Sequence, residues 1–171
     1  MRRFVTVVAV LVTLSTGGCM SQPEPTDSAA SLREARSTIV AELKKVAADL
    51  STGGATVAEA SGRYASCGSA PTNAIEYRAG ARVTGDDAPV ADRIKAAVAT
   101  LKAQGWAVTD EQYTDDPYPY ARLERAGLRL SLDPDARRGS DAMTFALAGD
   151  CIRTDKGQDD EFSGTEEIDV P

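Results

Sequence analysis

The chain has 171 residues, with 19 Lys or Arg against 26 Asp or Glu, a net charge of −7, three cysteines and no histidine. One ordinary domain fits this length. The missing histidine excludes Ser-His-Asp and Cys-His catalysis and imidazole-ligated metal, and the acidic balance argues against a protein that tracks nucleic-acid phosphates. In chain order, Arg2 and Arg3 precede an apolar run of eleven residues, 4–14. A membrane-crossing helix needs ~20 residues for a ~30 Å core. This run is too short for that and has the length of the apolar region of an export signal.

Small residues follow, ending Gly17-Gly18-Cys19. These residues resemble a bacterial lipoprotein signal, in which the Cys after the cleavage point is lipidated and becomes the mature N-terminus. Thr16 departs from that pattern, where Leu, Val or Ile is usual. The competing reading is an ordinary secretory signal with an incidental Cys. The resemblance implies a diacylglycerol on Cys19, hence stable anchoring by more than one acyl chain at the extracytoplasmic face of a cell membrane. Loss of 1–18 removes Arg2 and Arg3 and takes the charge from −7 to −9, so an anionic membrane surface repels the body and the lipid alone holds it. Residues 19–27, with Pro23 and Pro25, read as an extended tether.

An exported context is oxidising, so Cys67 and Cys151 read as one disulfide. A redox pair or thiolate metal site is the rival, without a C-x-x-C or a His to support it. Residues 28–51 repeat Leu32, Ala35, Ile39, Leu43, Val46 and Leu50 at helical spacing, with Asp27, Ser28 or Ser31 as N-cap and Gly53-Gly54 as stop. Residues 55–73 read as irregular, with a short extended piece near Tyr64. Residues 74–83 alternate as a half-buried strand. Asp86 or Asp87 caps a second helix with Val90, Ile94, Ala97, Val98 and Leu101 on one face, ended by Gly105. A strand over 106–113 follows, with Trp106 in the core. A hairpin over 120–125 and 128–133 turns at Ala126-Gly127, and a last strand runs over 141–152. The acidic segment 154–171 reads as a disordered tail.

The expected fold is therefore α+β. Two amphipathic helices cover one face of a mainly antiparallel four- or five-stranded sheet, within a single domain over 28–153. The order of lipobox, helix, Cys, strand, helix and strands, closing on Gly149-Asp150-Cys151, resembles small actinobacterial lipoproteins, in particular the LppA-like mycobacterial group. That likeness implies an exported lipoprotein with a cysteine pair and carries no chemistry with it.

The chemistry-bearing residues are few. Acids cluster at Asp110, Glu111, Asp115 and Asp116 beside Tyr113, Tyr118 and Tyr120. A glycosidase needs two facing carboxyls, but the favoured reading is a solvated loop whose tyrosines cover a sheet edge. No Gly-rich stretch has P-loop spacing, and 155–161 fails the EF-hand pattern. The reading reached is a non-catalytic binding module of the cell envelope, with no cofactor and no metal. Its partner is a protein or wall component met through Arg78, Arg82 and Arg129 on one sheet face, or through Tyr113, Tyr118 and Tyr120. A carrier of a small apolar ligand and a carboxylate-dependent cell-wall hydrolase are the alternatives.

Overall fold

The computed structural model describes residues 25–68, 73–85, 87–114, 118–137, 141–154 and 161–171. The segment carrying Cys19, together with Asp86, Asp115 and Asp116, lies outside them. The first helix, α1 (Pro25–Thr52), begins inside the expected tether. Proline suits a first helical turn, where its missing N–H has no partner to lose. The predicted stripe holds: Leu32, Ile39, Leu43, Val46 and Leu50 are buried.

Eight strands and a second helix follow: β1 (Thr56–Ser66), β2 (Ala74–Thr84), α2 (Val90–Ala103), β3 (Ala107–Gln112), β4 (Tyr120–Arg125), β5 (Leu128–Pro134), β6 (Met143–Ala148), β7 (Ile152–Arg153) and β8 (Thr165–Glu167). They form one sheet in the order β3-β4-β5-β6-β2-β1-β8, with β7 also on β2. Every pairing is antiparallel. The helix α2 carries the chain from the central β2 to the far edge. Four consecutive strands then return it to β2's side.

The fold class is α+β as expected, but among the described residues the sheet has eight strands rather than four or five. Three errors account for the difference. The first is β1, read as irregular. A bulge between Ala58 and Ser61, with Glu59 at φ 53, shifts the register and breaks the period-2 alternation that announces a strand. The second is the acidic tail. Its described part is ordered: β8 pairs with Ser61, Gly62 and Arg63, and Phe162 and Ile168 are buried. Two apolar side chains and a backbone ladder outweigh the acidic composition there. The third is the last strand, which breaks at Gly149–Cys151 into β6 and β7, both paired with β2. The expected acidic cap of α2 is also absent at Asp87. Pro89 is the N-cap, and no side chain closes that end.

One core joins both helices to a single face of the sheet. Leu43, Val46 and Leu50 of α1 and Ile94, Val98 and Leu101 of α2 cluster with Tyr77, Val83, Leu123, Leu130, Leu132, Phe145 and Leu147. Fully burying a side chain of this size contributes about 1.5–3 kcal/mol. Trp106 is in this core as expected, with the Arg125 guanidinium 4.6 Å above its ring. Arg125 also pairs with Glu42 of α1 and donates to the Gln104 carbonyl at 2.7 Å. One cation thus links α1, the end of α2 and β4. The β4–β5 turn places Ala126 at φ 49 and Gly127 at φ 81, the two left-handed residues that a two-residue hairpin requires.

Cys67 and Cys151 form a disulfide, with Cα atoms 5.9 Å apart. It ties the end of β1 to the start of β7.

The C-terminal strand is held by a polar clamp. Arg36 donates through Nε at 2.6 Å and through Nη2 to Glu166, which also accepts the Tyr77 hydroxyl. Tyr64 packs edge-on against both Tyr77 and Phe162, at 5.0 and 4.8 Å. Bonds from Arg36, and secondarily from Tyr77, hold the Glu166 carboxyl below its ordinary value of 4.5. The unfolded chain therefore binds this proton more readily than the folded one. The clamp's contribution is complete above the unfolded value and is lost as pH falls through the depressed native one. Glu166→Gln should accordingly flatten the loss of urea resistance between neutral pH and about pH 3. An unchanged acid slope would show that the clamp carries no linked stability.

Candidate functional site: the open face of the sheet

Side chains two apart on a strand share a face, so the register settles what lies opposite the helices. One row across the sheet runs Glu124, Arg129, Ala148, Arg78, Arg63. The next runs Arg122, Ser131, Ala146, Gly80. A third places Asp133, Thr144 and Arg82 side by side. The small side chains in the middle leave a depression of about 280 Å³, floored by Ser131, Ala146 and Ala148 and walled by Arg78, Arg122 and Arg129.

The arginines are fixed from below. The side chain of Glu76 is only 2 % exposed. Its Oε1 accepts from Arg78 and its Oε2 from Arg129 Nη2 at 2.5 Å. Arg129 Nη2 also donates to the Gly149 carbonyl at 2.6 Å. A carboxylate this buried needs such paired, hydrogen-bonded partners. Arg78 and Arg129 are themselves about half exposed, so their remaining N–H edges reach solvent. Arg122 is held by Asp133 at 2.7 Å and by the carbonyls of Ala121 and Leu132 at 3.0 and 3.2 Å.

Aromatic residues continue the same surface. The Arg122 guanidinium lies 5.0 Å over the Tyr120 ring, and Tyr120 packs edge-on with Tyr118 at 6.1 Å. Tyr120 donates to Asp110 at 3.0 Å. Tyr118, at 48 % exposure, is the one exposed large hydrophobic among the described residues.

The two surfaces expected from the sequence are therefore largely one. Arg78, Arg129, Tyr118 and Tyr120 are brought together, joined by Arg122. Arg82 is on the same face but engaged elsewhere: it bonds Asp135 at 2.8 Å and Glu59 at 3.5 Å, and Arg137 shares both acids. That ionic group secures the β1 bulge to the loop after β5. Tyr113 is not part of the open face. It packs on the core, donates to Glu111 at 2.6 Å and faces Lys95 of α2 at 6.0 Å. Burial and the Glu111 bond push its hydroxyl up to about 12.

Sequence reasoning missed Glu76, Arg63 and Arg122. The signal for Arg122 was present, since the Ala126-Gly127 turn fixes its pairing with Ser131. Glu76 looks in sequence like any outward strand acid, and only the guanidinia above it show that it is buried.

Asp110 and Glu111 diverge. The first bonds Tyr120 on the open face, and the second bonds Tyr113 on the helix side. Among the described residues no group of three or more His, Cys, Asp or Glu could hold a metal ion. No helix among them is long and apolar enough to cross a membrane. A second hollow, of about 400 Å³, lies beside α2 and is lined by Leu50, Ala97 and Met143 together with Asp92 and Arg93. Comparison of the chain with protein-family models, with curated proteins and with solved structures gives no match.

Proposed function

We propose that this is a lipid-anchored, extracytoplasmic cell-envelope protein that binds a partner without catalysis, through the open face of its sheet. One observation carries the binding reading. Both helices pack on one face, while the other holds a continuous surface from Tyr118 and Tyr120 through Arg122 to Arg129 and Arg78. Pre-fixed aromatic and arginine side chains are the groups that dominate binding energy at interfaces. The anchor rests on the basic and apolar start and on Gly17-Gly18-Cys19. The disulfide supports an oxidising compartment.

The hollow beside α2 is the observation behind the apolar-carrier alternative, and its Asp92 and Arg93 weigh against an apolar ligand. The divergence of Asp110 and Glu111 lends the hydrolase alternative no support.

Two experiments test the proposal. A photo-crosslinking residue at Ser131, in the floor of the depression, should capture a partner in the native envelope, while one at Lys44 on the outer side of α1 should not. Equal capture from both positions, or none, would remove the open-face reading. Cys19→Ala should release the protein from membranes, and unchanged retention would refute lipidation.

A further inference from the structure

We infer that the open face binds an acidic polysaccharide, with Arg63, Arg78 and Arg129 as the contacts for its carboxylates. This deepens the open-face reading above and rests on it.

The charge distribution points there. Acids outnumber bases by seven in the whole chain, yet the depression is lined by three arginines and one acid, Glu124. Glu76, beneath them, is too buried to meet a ligand. Donors remain unspent above it: Arg78 engages Glu76 through Nε and Nη2, and Arg129 uses Nη2. Among the described residues nothing takes Arg78 Nη1 or the Nε and Nη1 of Arg129, which leaves them for a carboxylate, a group guanidinium recognises in two-point fashion. Arg63, beside Arg78 in the register, is exposed, and its side chain makes no ion pair or hydrogen bond with the described residues. Arg78 and Arg129 converge on the two oxygens of the one Glu76 carboxylate, so two cations stand side by side over a single acid, and the chain's overall negative field disfavours a dense run of phosphates. At the other end the exposed Tyr118 offers a ring face, whose negative quadrupole suits the C–H face of a sugar. The small floor between lets a chain lie flat.

The test is calorimetric titration of the full chain in detergent with hyaluronan fragments, dextran and single-stranded DNA. Hyaluronan should bind, more weakly as salt rises, and the other two should not. Arg63→Gln and Arg129→Gln should each weaken binding at least about fivefold and reduce its salt dependence, while Lys102→Gln should change nothing. Among the described residues the Arg63 side chain makes no ion pair or hydrogen bond, and a matching urea transition for the Arg63→Gln variant separates lost binding from lost fold. Equal binding of dextran or DNA, no binding of hyaluronan, or indifference to both arginine variants would overturn the inference. If Ser131 still captures a partner in the envelope, the open-face reading survives that failure; if it captures nothing, both fall.

Discussion

Replacing Cys67 and Cys151 together by serine should lower the unfolding free energy by about 3–4 kcal/mol, read from urea denaturation at neutral pH. The bridge closes a loop of sequence separation 84, for which chain entropy alone gives roughly 4–5 kcal/mol. The expected loss is smaller because the unbridged unfolded chain keeps residual structure and is not a free random coil. The loss should not be uniform. β7 has two residues and pairs only at Ala74 and Ile75, so the Ile152 and Arg153 amides should lose hydrogen-exchange protection first. Amides of Phe145 and Leu147, in the core, should follow global unfolding. A double variant as stable as the parent would mean that the bridge does not restrict the unfolded chain.

Gly62→Ala should cost about 3 kcal/mol, an unusual penalty for one methyl group on a strand. A Cβ at 62 would fall 1.9 Å from the Tyr77 hydroxyl oxygen and 2.6 Å from Cζ. Tyr77 is 1 % exposed, edge-packed on Tyr64 and bonded to Glu166, which Arg36 grips in turn. The ring has nowhere to swing, so β8 must leave its place and give up Ile168 with it. Tyr77→Phe removes the nearer clashing atom. The double variant Gly62→Ala/Tyr77→Phe should therefore be more stable than the sum of the two single changes allows. Strict additivity would show that the ring and the β8 clamp are not coupled.

The clamp also explains where sequence reasoning stopped. Residues 161–171 carry acids and few apolar side chains, which composition reads as solvated. Glu166 is an exception that composition cannot reveal, because its partners Arg36 and Tyr77 lie 130 and 89 positions away. The same limit hid β1, whose strand identity rests on its partners β2 and β8. Tyr113 shows the converse error. It stands close to Tyr118 and Tyr120 in sequence, but its ring packs on the core side and theirs do not.

What the sequence determined by itself is local. The apolar stripes of both helices, the alternation of β2, β4, β5 and β6, and the hairpin turn each depend on residues a few positions apart. There, side-chain period and backbone preference speak directly. The cysteine pairing was legible too, because only two cysteines remained once Cys19 was assigned to lipid. The tertiary structure decided the number of strands, the order of the tail and the composition of the open face. Each depends on pairing across long separations, where cross-strand register chooses which arginines meet which acids. Glu76 and Arg129, 53 positions apart, become one unit only when β6 is placed between β2 and β5.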